Sequence, residues 1–321
     1  MKTEYTNFLE LYRELNLNPE RHALWVVHHE PDVPLEFFAD KIEKSSVYVK
    51  HFLLYQEFGL EEFLKQYDNV YVWESTVYPN ISRHFTYLWW FDEIVKVSNA
   101  LGLHDNLLNN LEKIPKYKFD ALLGRNKNNR QEIYDFLIES NLIKSSIFNM
   151  FNDDIMSEWI RGSHYEKLNT EYEYPQVIYE DKSTANASTF LPIDIYNNSW
   201  YSIVAETEPT IPFFTEKTAK PLLAKRIFVT FGTQHQLKKL KELGFFTFDR
   251  VIDESYDDEP NRGKRWQMAF QQLEKLNEMD PYEVYKLVDD IVTHNQKKML
   301  DFSWDERMRT EVKAIVNLEE T

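Results

Sequence analysis

The chain alternates short apolar runs with longer amphipathic stretches, as expected where buried strands are covered by helices. "ALWVVHHE" (23–30) is rich in Val and aromatics and turns polar at its end, which predicts a buried strand. "VKHFLLYQEFGLEEFLKQY" (49–67) spaces Phe and Leu at helical intervals. "NVYVWES" (69–75) reads as a second strand, and "SRHFTYLWWFDEIVKVSNALGL" (82–103) as a long helix capped by Ser82. Strand, helix, strand, helix predicts a parallel α/β unit.

Pro115, in the polar stretch "HDNLLNNLEKIPK" (104–116), cannot continue a helix, so a domain boundary is expected at residue 113. The alternation then restarts with "KYKFDALLG" as strand, "NNRQEIYDFLIESNLI" as helix and "SSIFNMF" as strand. Residues 152–196 are polar and irregular, after which "SWYSIVAETE" (199–208) and "RIFVTFG" (226–232) return as strands. Three helical patterns finish the chain, the second opened by Asp280 as cap and Pro281 in the first turn. The two alternations predict residues 1–113 and 114–321 as two Rossmann-like domains.

With 321 residues, 43% of them hydrophobic and 15% aromatic, the chain can bury a large core. It has no cysteine, which removes disulfides and thiolate metal sites and suits a reducing cytoplasm. No run of about 20 apolar residues suggests a membrane span, so a soluble cytoplasmic protein is expected. The formal net charge of −16 repels polyanions at long range and disfavours nonspecific nucleic-acid binding. It does not forbid a local basic cleft, because screening acts over roughly 10 Å.

Two stretches could form such a cleft. In "TEKTAKPLLAKRIFVTFG" (215–232), Thr215 is a candidate N-cap, with Glu216 and Lys217 in the first turn and Lys220 one turn on. Free N–H groups and the helix dipole make that start an anion site, which Lys217 would reinforce. A carboxylate beside an anion site can accept ribose hydroxyls, so Glu216 and Lys217 together suit a nucleoside diphosphate. A solvated helix start is the other reading of the same residues. In "FDALLGRNKNNRQEIYDF" (119–136), a strand, Gly124, a short loop carrying Arg125, Lys127 and Arg130, and then a helix occupy the place where α/β folds bind phosphates. It lacks a glycine-rich cradle, and a basic solvent loop is the alternative there.

These two stretches, with "LKKLKELGFFTFDRVIDESYD", resemble the nucleotide-sugar domain of fucosyltransferase-like glycosyltransferases, especially a family common in large bacteriophage genomes. The similarity covers roughly residues 114–270, and the Thr-Glu-Lys-Thr block (215–218) is its most specific piece. Asn129 stands where the family usually has His, and Ala219 where it has an aromatic residue. The resemblance implies a GT-B-like fold, two Rossmann-like domains facing a cleft with the C-terminal helices packing back. It also implies a transferase that moves a sugar from a nucleoside-diphosphate sugar to an acceptor hydroxyl. Glu216 would hold the ribose and Lys217 the diphosphate, with Thr218 completing the block and Arg125 and Arg130 adding charge at the leaving group.

Such cations can stabilise a departing diphosphate, so no metal and no further cofactor are expected. The "YDD" at 256–258 is the acidic stretch hardest to set aside as a metal site. An inverting reaction needs a base from the N-terminal half, and Glu30 and Glu74, each ending a predicted strand, are the candidates, with His28 and His29 as alternatives. The acceptor would be a saccharide or a modified DNA base, the latter making this a DNA-modification enzyme. The competing reading is a noncatalytic nucleotide or nucleotide-sugar binding protein.

Overall fold

Two four-stranded sheets organise the chain, and every pairing within them is parallel. The structure is a computed structural model, and it describes residues 21–27, 46–51, 69–74, 83–125, 128–151, 177–178, 184–185, 188–207 and 212–319. The chain divides into two units, Met1–Trp89 with Ser303–Thr321, and Trp90–Phe302.

In the first unit, β1 (His22–Val27), β2 (Ser46–His51), β3 (Val70–Glu74) and β4 (His84–Thr86) lie in sequence order. β2 and β4 fall where helices were expected. In "SVYVKH", Val47 and Val49 are β-branched and pair with β3, and "HFT" pairs with Val72–Glu74, so cross-strand pairing decides both. Ser82 lies outside the described residues, and the helix α1 (Trp89–Leu101) starts seven residues later. The last helix of the chain, Trp304–Glu319, belongs to this unit and buries Trp304, Met308, Val312 and Val316, one residue per turn. It accepts the Trp73 indole N–H on Glu311 Oε2 at 2.8 Å, while the Trp73 ring stacks on Phe85 at 4.7 Å.

The second unit holds β5 (Tyr117–Arg125), α2 (Asn128–Glu139), β6 (Ser146–Phe151), β7 (Val177–Ile178), β8 (Thr184–Ala185), α3 (Ile193–Asn197) and β9 (Ser199–Ala205). There follow α4 (Glu216–Leu223), β10 (Ile227–Phe231), α5 (Gln236–Glu242), α6 (Arg262–Glu278) and α7 (Pro281–Asp301), so the final helix of the chain is α8. The large sheet runs β10-β9-β5-β6. All five residues of β10 are buried, as befits a parallel strand covered on both faces. Each such Val, Ile or Phe contributes about 1.5–3 kcal/mol over its exposed state.

The boundary expected at residue 113 falls inside this unit. α1 buries Phe91, Ile94 and Val97 here, with Phe91 edge-on to Phe245 at 5.6 Å. Asn110 then donates to the Lys225 carbonyl at 2.7 Å. On one side of Pro115, Lys113 donates to the Ser199 carbonyl of β9, and on the other β5 begins at Tyr117.

A polar knot sits at the N-terminal edge of that sheet. Arg226, just ahead of β10, donates to Asp120 Oδ2 on β5 at 3.0 Å and to Ser199 Oγ on β9 at 2.9 Å. Asp120 also accepts from the Ser199 and Ser202 hydroxyls at 2.8 and 2.9 Å. Lys113 donates to the carbonyls of Tyr196 and Ser199 at 3.2 and 2.9 Å. Burial, then the Arg226 charge, depress the Lys113 amine to about 5, with Asp120 pulling the other way.

Candidate functional site

From β5 the chain proceeds to β6 on one side, whereas β9, on the other side of β5, leads outward to β10. The order therefore reverses between β5 and β9, and ligands of open parallel sheets bind at the carboxyl ends of the strands flanking such a reversal. Those ends are Arg125, the last residue of β5, and Glu206, the first residue after β9. Gly124 adopts φ 66° at a bulge that shifts the β5–β6 register, bringing Arg125 opposite Phe151.

Two helix starts flank the reversal. α2 begins at Asn128, and the Asn129 amide donates to the Glu206 carbonyl at 3.4 Å, joining the helix to the end of β9. Asn129 is thus a buried tie, and Arg130 beside it is buried in the same turn. α4 begins after Thr215, whose extended backbone and hydroxyl, accepting from Lys217 N at 3.3 Å, make it the expected N-cap. Pro221 lies inside α4 and lacks the N–H that would bond the Lys217 carbonyl.

Glu206 is fully buried under this turn. Its Oε2 accepts from Thr215 Oγ1 at 2.7 Å, and its Oε1 accepts both Thr215 N at 3.2 Å and the Thr218 hydroxyl. Lys217 closes on the Glu216 carboxylate and donates to Thr207 Oγ1 at 3.0 Å, with Thr215 Oγ1 at 3.5 Å. Burial pushes the Glu216 carboxyl up, but the Lys217 and Lys220 charges more than offset it and hold it below the ordinary carboxylate value. Burial pulls the Lys220 amine down to about 8, Glu216 opposing and Lys217 reinforcing the shift. Burial raises the Glu206 carboxyl, against the pull of Lys217 and the two threonine hydroxyls.

Of the expected site residues, Glu216, Lys217 and Thr218 share one helical turn, and Arg125 and Arg130 flank the adjoining strand end. Glu74 ends β3 in the first unit's sheet, in register between His51 and Thr86. Glu30, with His28 and His29, lies outside the described residues. Glu206 and Thr207 were not anticipated, and Lys220, expected one turn on from Lys217, lies buried in α4. Glu206 carried a readable signal, a glutamate at the end of "SWYSIVAETE", the same strand-end position that singles out Glu30 and Glu74. The "YDD" stretch has a structural use: Asp257 accepts from the backbone N–H groups of Leu237 and Lys238 at 2.9 and 3.0 Å and so caps α5.

No helix among the described residues is long and apolar enough to cross a membrane. No family model matches the chain, and no curated protein matches it. Among solved structures, a crystal structure of an alpha1,3-fucosyltransferase resembles it with a TM-score of 0.38 and 11% identity, covering 88% of this chain and 91% of that one. The chain is thus a mixed α/β protein of parallel sheets and helices with a low-scoring likeness to a fucosyltransferase.

Proposed function

We propose that the protein is a glycosyltransferase of the GT-B class that moves a sugar from a nucleoside-diphosphate sugar to an acceptor hydroxyl, with the donor bound on the second unit. The observation that carries this reading is the Glu216–Lys217 pair in the first turn of α4, beside the reversal of strand order between β5 and β9. A diphosphate at this helix start meets the positive end of the helix dipole and the Lys217 ammonium. In taking Lys217 from Glu216 it frees a carboxylate for the ribose hydroxyls. As the glycosidic bond breaks, charge grows on the leaving diphosphate, and Lys217, Arg125 and Arg130 would stabilise that charge more in the transition state than in the bound donor. If configuration inverts, Glu74 or Glu30 of the first unit takes the acceptor proton. The acceptor is a saccharide or, as the phage-type resemblance suggests, a modified DNA base. The net charge of −16 favours the saccharide over duplex DNA.

A noncatalytic nucleotide-binding protein is the second reading, favoured by the way Glu216 and Lys217 already satisfy each other. Thermal shift against UDP, GDP, CDP, ADP and their common sugars, followed by assay of sugar transfer and donor hydrolysis, separates the readings. A several-degree shift with one nucleotide, lost in Lys217→Ala and accompanied by turnover, is the expected result. Binding without turnover favours the second reading, and no shift with any nucleotide overturns both.

A further inference from the structure

In the familiar helix start, the third helical residue is a Glu or Gln that reaches back to the N-cap N–H while the N-cap hydroxyl reaches forward. In α4 that third residue is Thr218, whose hydroxyl cannot serve as such a carboxylate. The carboxylate comes instead from Glu206, nine residues ahead of the cap, which takes the Thr215 N–H, the Thr215 hydroxyl and the Thr218 hydroxyl on its two oxygens. The helix start is thereby fastened to the end of β9 rather than closed on itself.

We propose that Glu206 is the positioning residue of the donor site: it fixes the direction of the Thr215 hydroxyl and, through it, the place of Lys217. The inference rests on the donor assignment given above. A threonine hydroxyl has one proton and two lone pairs. Thr215 gives its proton to Glu206 Oε2 at 2.7 Å, so its lone pairs face Lys217, whose N lies at 3.3 Å and Nζ at 3.5 Å. Thr207 supplies a further acceptor for Nζ at 3.0 Å from the same strand end. The relay is buried, where hydrogen bonds are hard for water to replace.

Charge and positioning make opposite predictions for this residue. Glu206 is an anion beneath an anion site, so if its charge were all that mattered, neutralising it would tighten diphosphate binding. If it positions, Glu206→Gln weakens binding, because an amide N–H facing Thr215 Oγ1 turns that hydroxyl's proton toward the N–H groups of Lys217.

The test is calorimetric binding of UDP, GDP, CDP and ADP to the full chain and its variants, with circular dichroism to verify folding. Glu206→Gln should weaken binding of the preferred nucleotide about tenfold, and Lys217→Ala should add little in that background, since both break one relay. Thr215→Val should match the Gln variant, whereas Thr215→Ser, which keeps the hydroxyl, should stay within about twofold of the parent. These two also decide the matter if Glu206→Gln does not fold. Tighter or unchanged binding in Glu206→Gln, fold-changes that multiply with those of Lys217→Ala, or parental affinity in Thr215→Val overturns the positioning role while leaving the donor site standing. Parental affinity in Lys217→Ala, or no binding of any of the four, overturns the donor reading and this inference with it.

Discussion

The Lys217 ammonium closes on the carboxylate of its own chain neighbour, Glu216, with only 13% and 15% of the two side chains exposed. A ligand must open this pair, and the two residues would then part to different portions of a nucleotide. Lys217→Ala should therefore weaken nucleoside-diphosphate and inorganic pyrophosphate binding alike, by about tenfold or more. Glu216→Ala should weaken only the nucleotide and leave pyrophosphate unchanged or tighter. Titration calorimetry with both ligands decides; equal losses for both in Glu216→Ala would remove the ribose assignment.

The Arg226–Asp120 pair is part of the scaffold, at the N-terminal edge of the sheet and away from the strand ends where the site is placed. Asp120→Ala leaves a guanidinium buried with fewer acceptors and should cost about 3–5 kcal/mol in urea unfolding. Replacing both partners by apolar residues, Asp120→Leu with Arg226→Met, should cost less than Asp120→Ala alone. A double variant at least as unstable as Asp120→Ala would show that the ion pair itself supplies net stability over an apolar replacement.

Lys113 contributes a pH dependence of known sign. Its folded pKa, about 5, lies below its ordinary value of 10.5, so between these pH values the unfolded chain holds a proton that the folded chain does not. Stability from this group therefore rises with pH across that window, by at most about 1.4 kcal/mol per unit, and is lost on acidification. Lys113→Met should flatten the dependence of urea midpoint on pH between about 6 and 9. An identical slope in the variant would assign the dependence to other groups.

Lys220 couples pH to binding with the opposite sign. Its folded pKa of about 8 means that its contribution to stability rises from there towards 10.5, as the folded state gives up a proton the unfolded chain keeps. Its ammonium, the form that attracts a diphosphate, is lost over the same rise. Nucleotide affinity should accordingly fall as pH increases through about 8, and Lys220→Met should show a shallower fall. Binding measured at several pH values from 7 to about 9.5 checks this, and parallel curves for parent and variant would place Lys220 outside the site.

What could be read from the residues in advance was what depends on near neighbours. Thr215 caps α4 and Asp280 caps α7, accepting from Tyr282 N at 3.0 Å, because a cap is decided within three residues. β5, α2, β9 and β10 announce themselves through apolar runs and turn residues. β2 and β4 did not, since "SVYVKH" and "HFT" lie next to or within helical spacing and become strands only by pairing with β3. The ties of Asn110 and Lys113 were hidden for a similar reason: they are fastened to carbonyls more than 80 residues ahead. Glu206 sits in plain view at a strand end, but its partners are named only once β9 and α4 are folded together.

The pairing of β5 with β9 dictates an order of assembly. Asp120 and Ser202, which meet at 2.9 Å, are 82 positions apart, and β6 with everything between must be made before the two strands can touch. During synthesis at about 5–20 residues per second, β5 waits several seconds with one edge bare. A bare parallel edge is open to the wrong strand, and the charge of Asp120 on it discourages a stranger that brings no arginine. The residues that later hold the sheet's base together thus also guard it while it is unfinished.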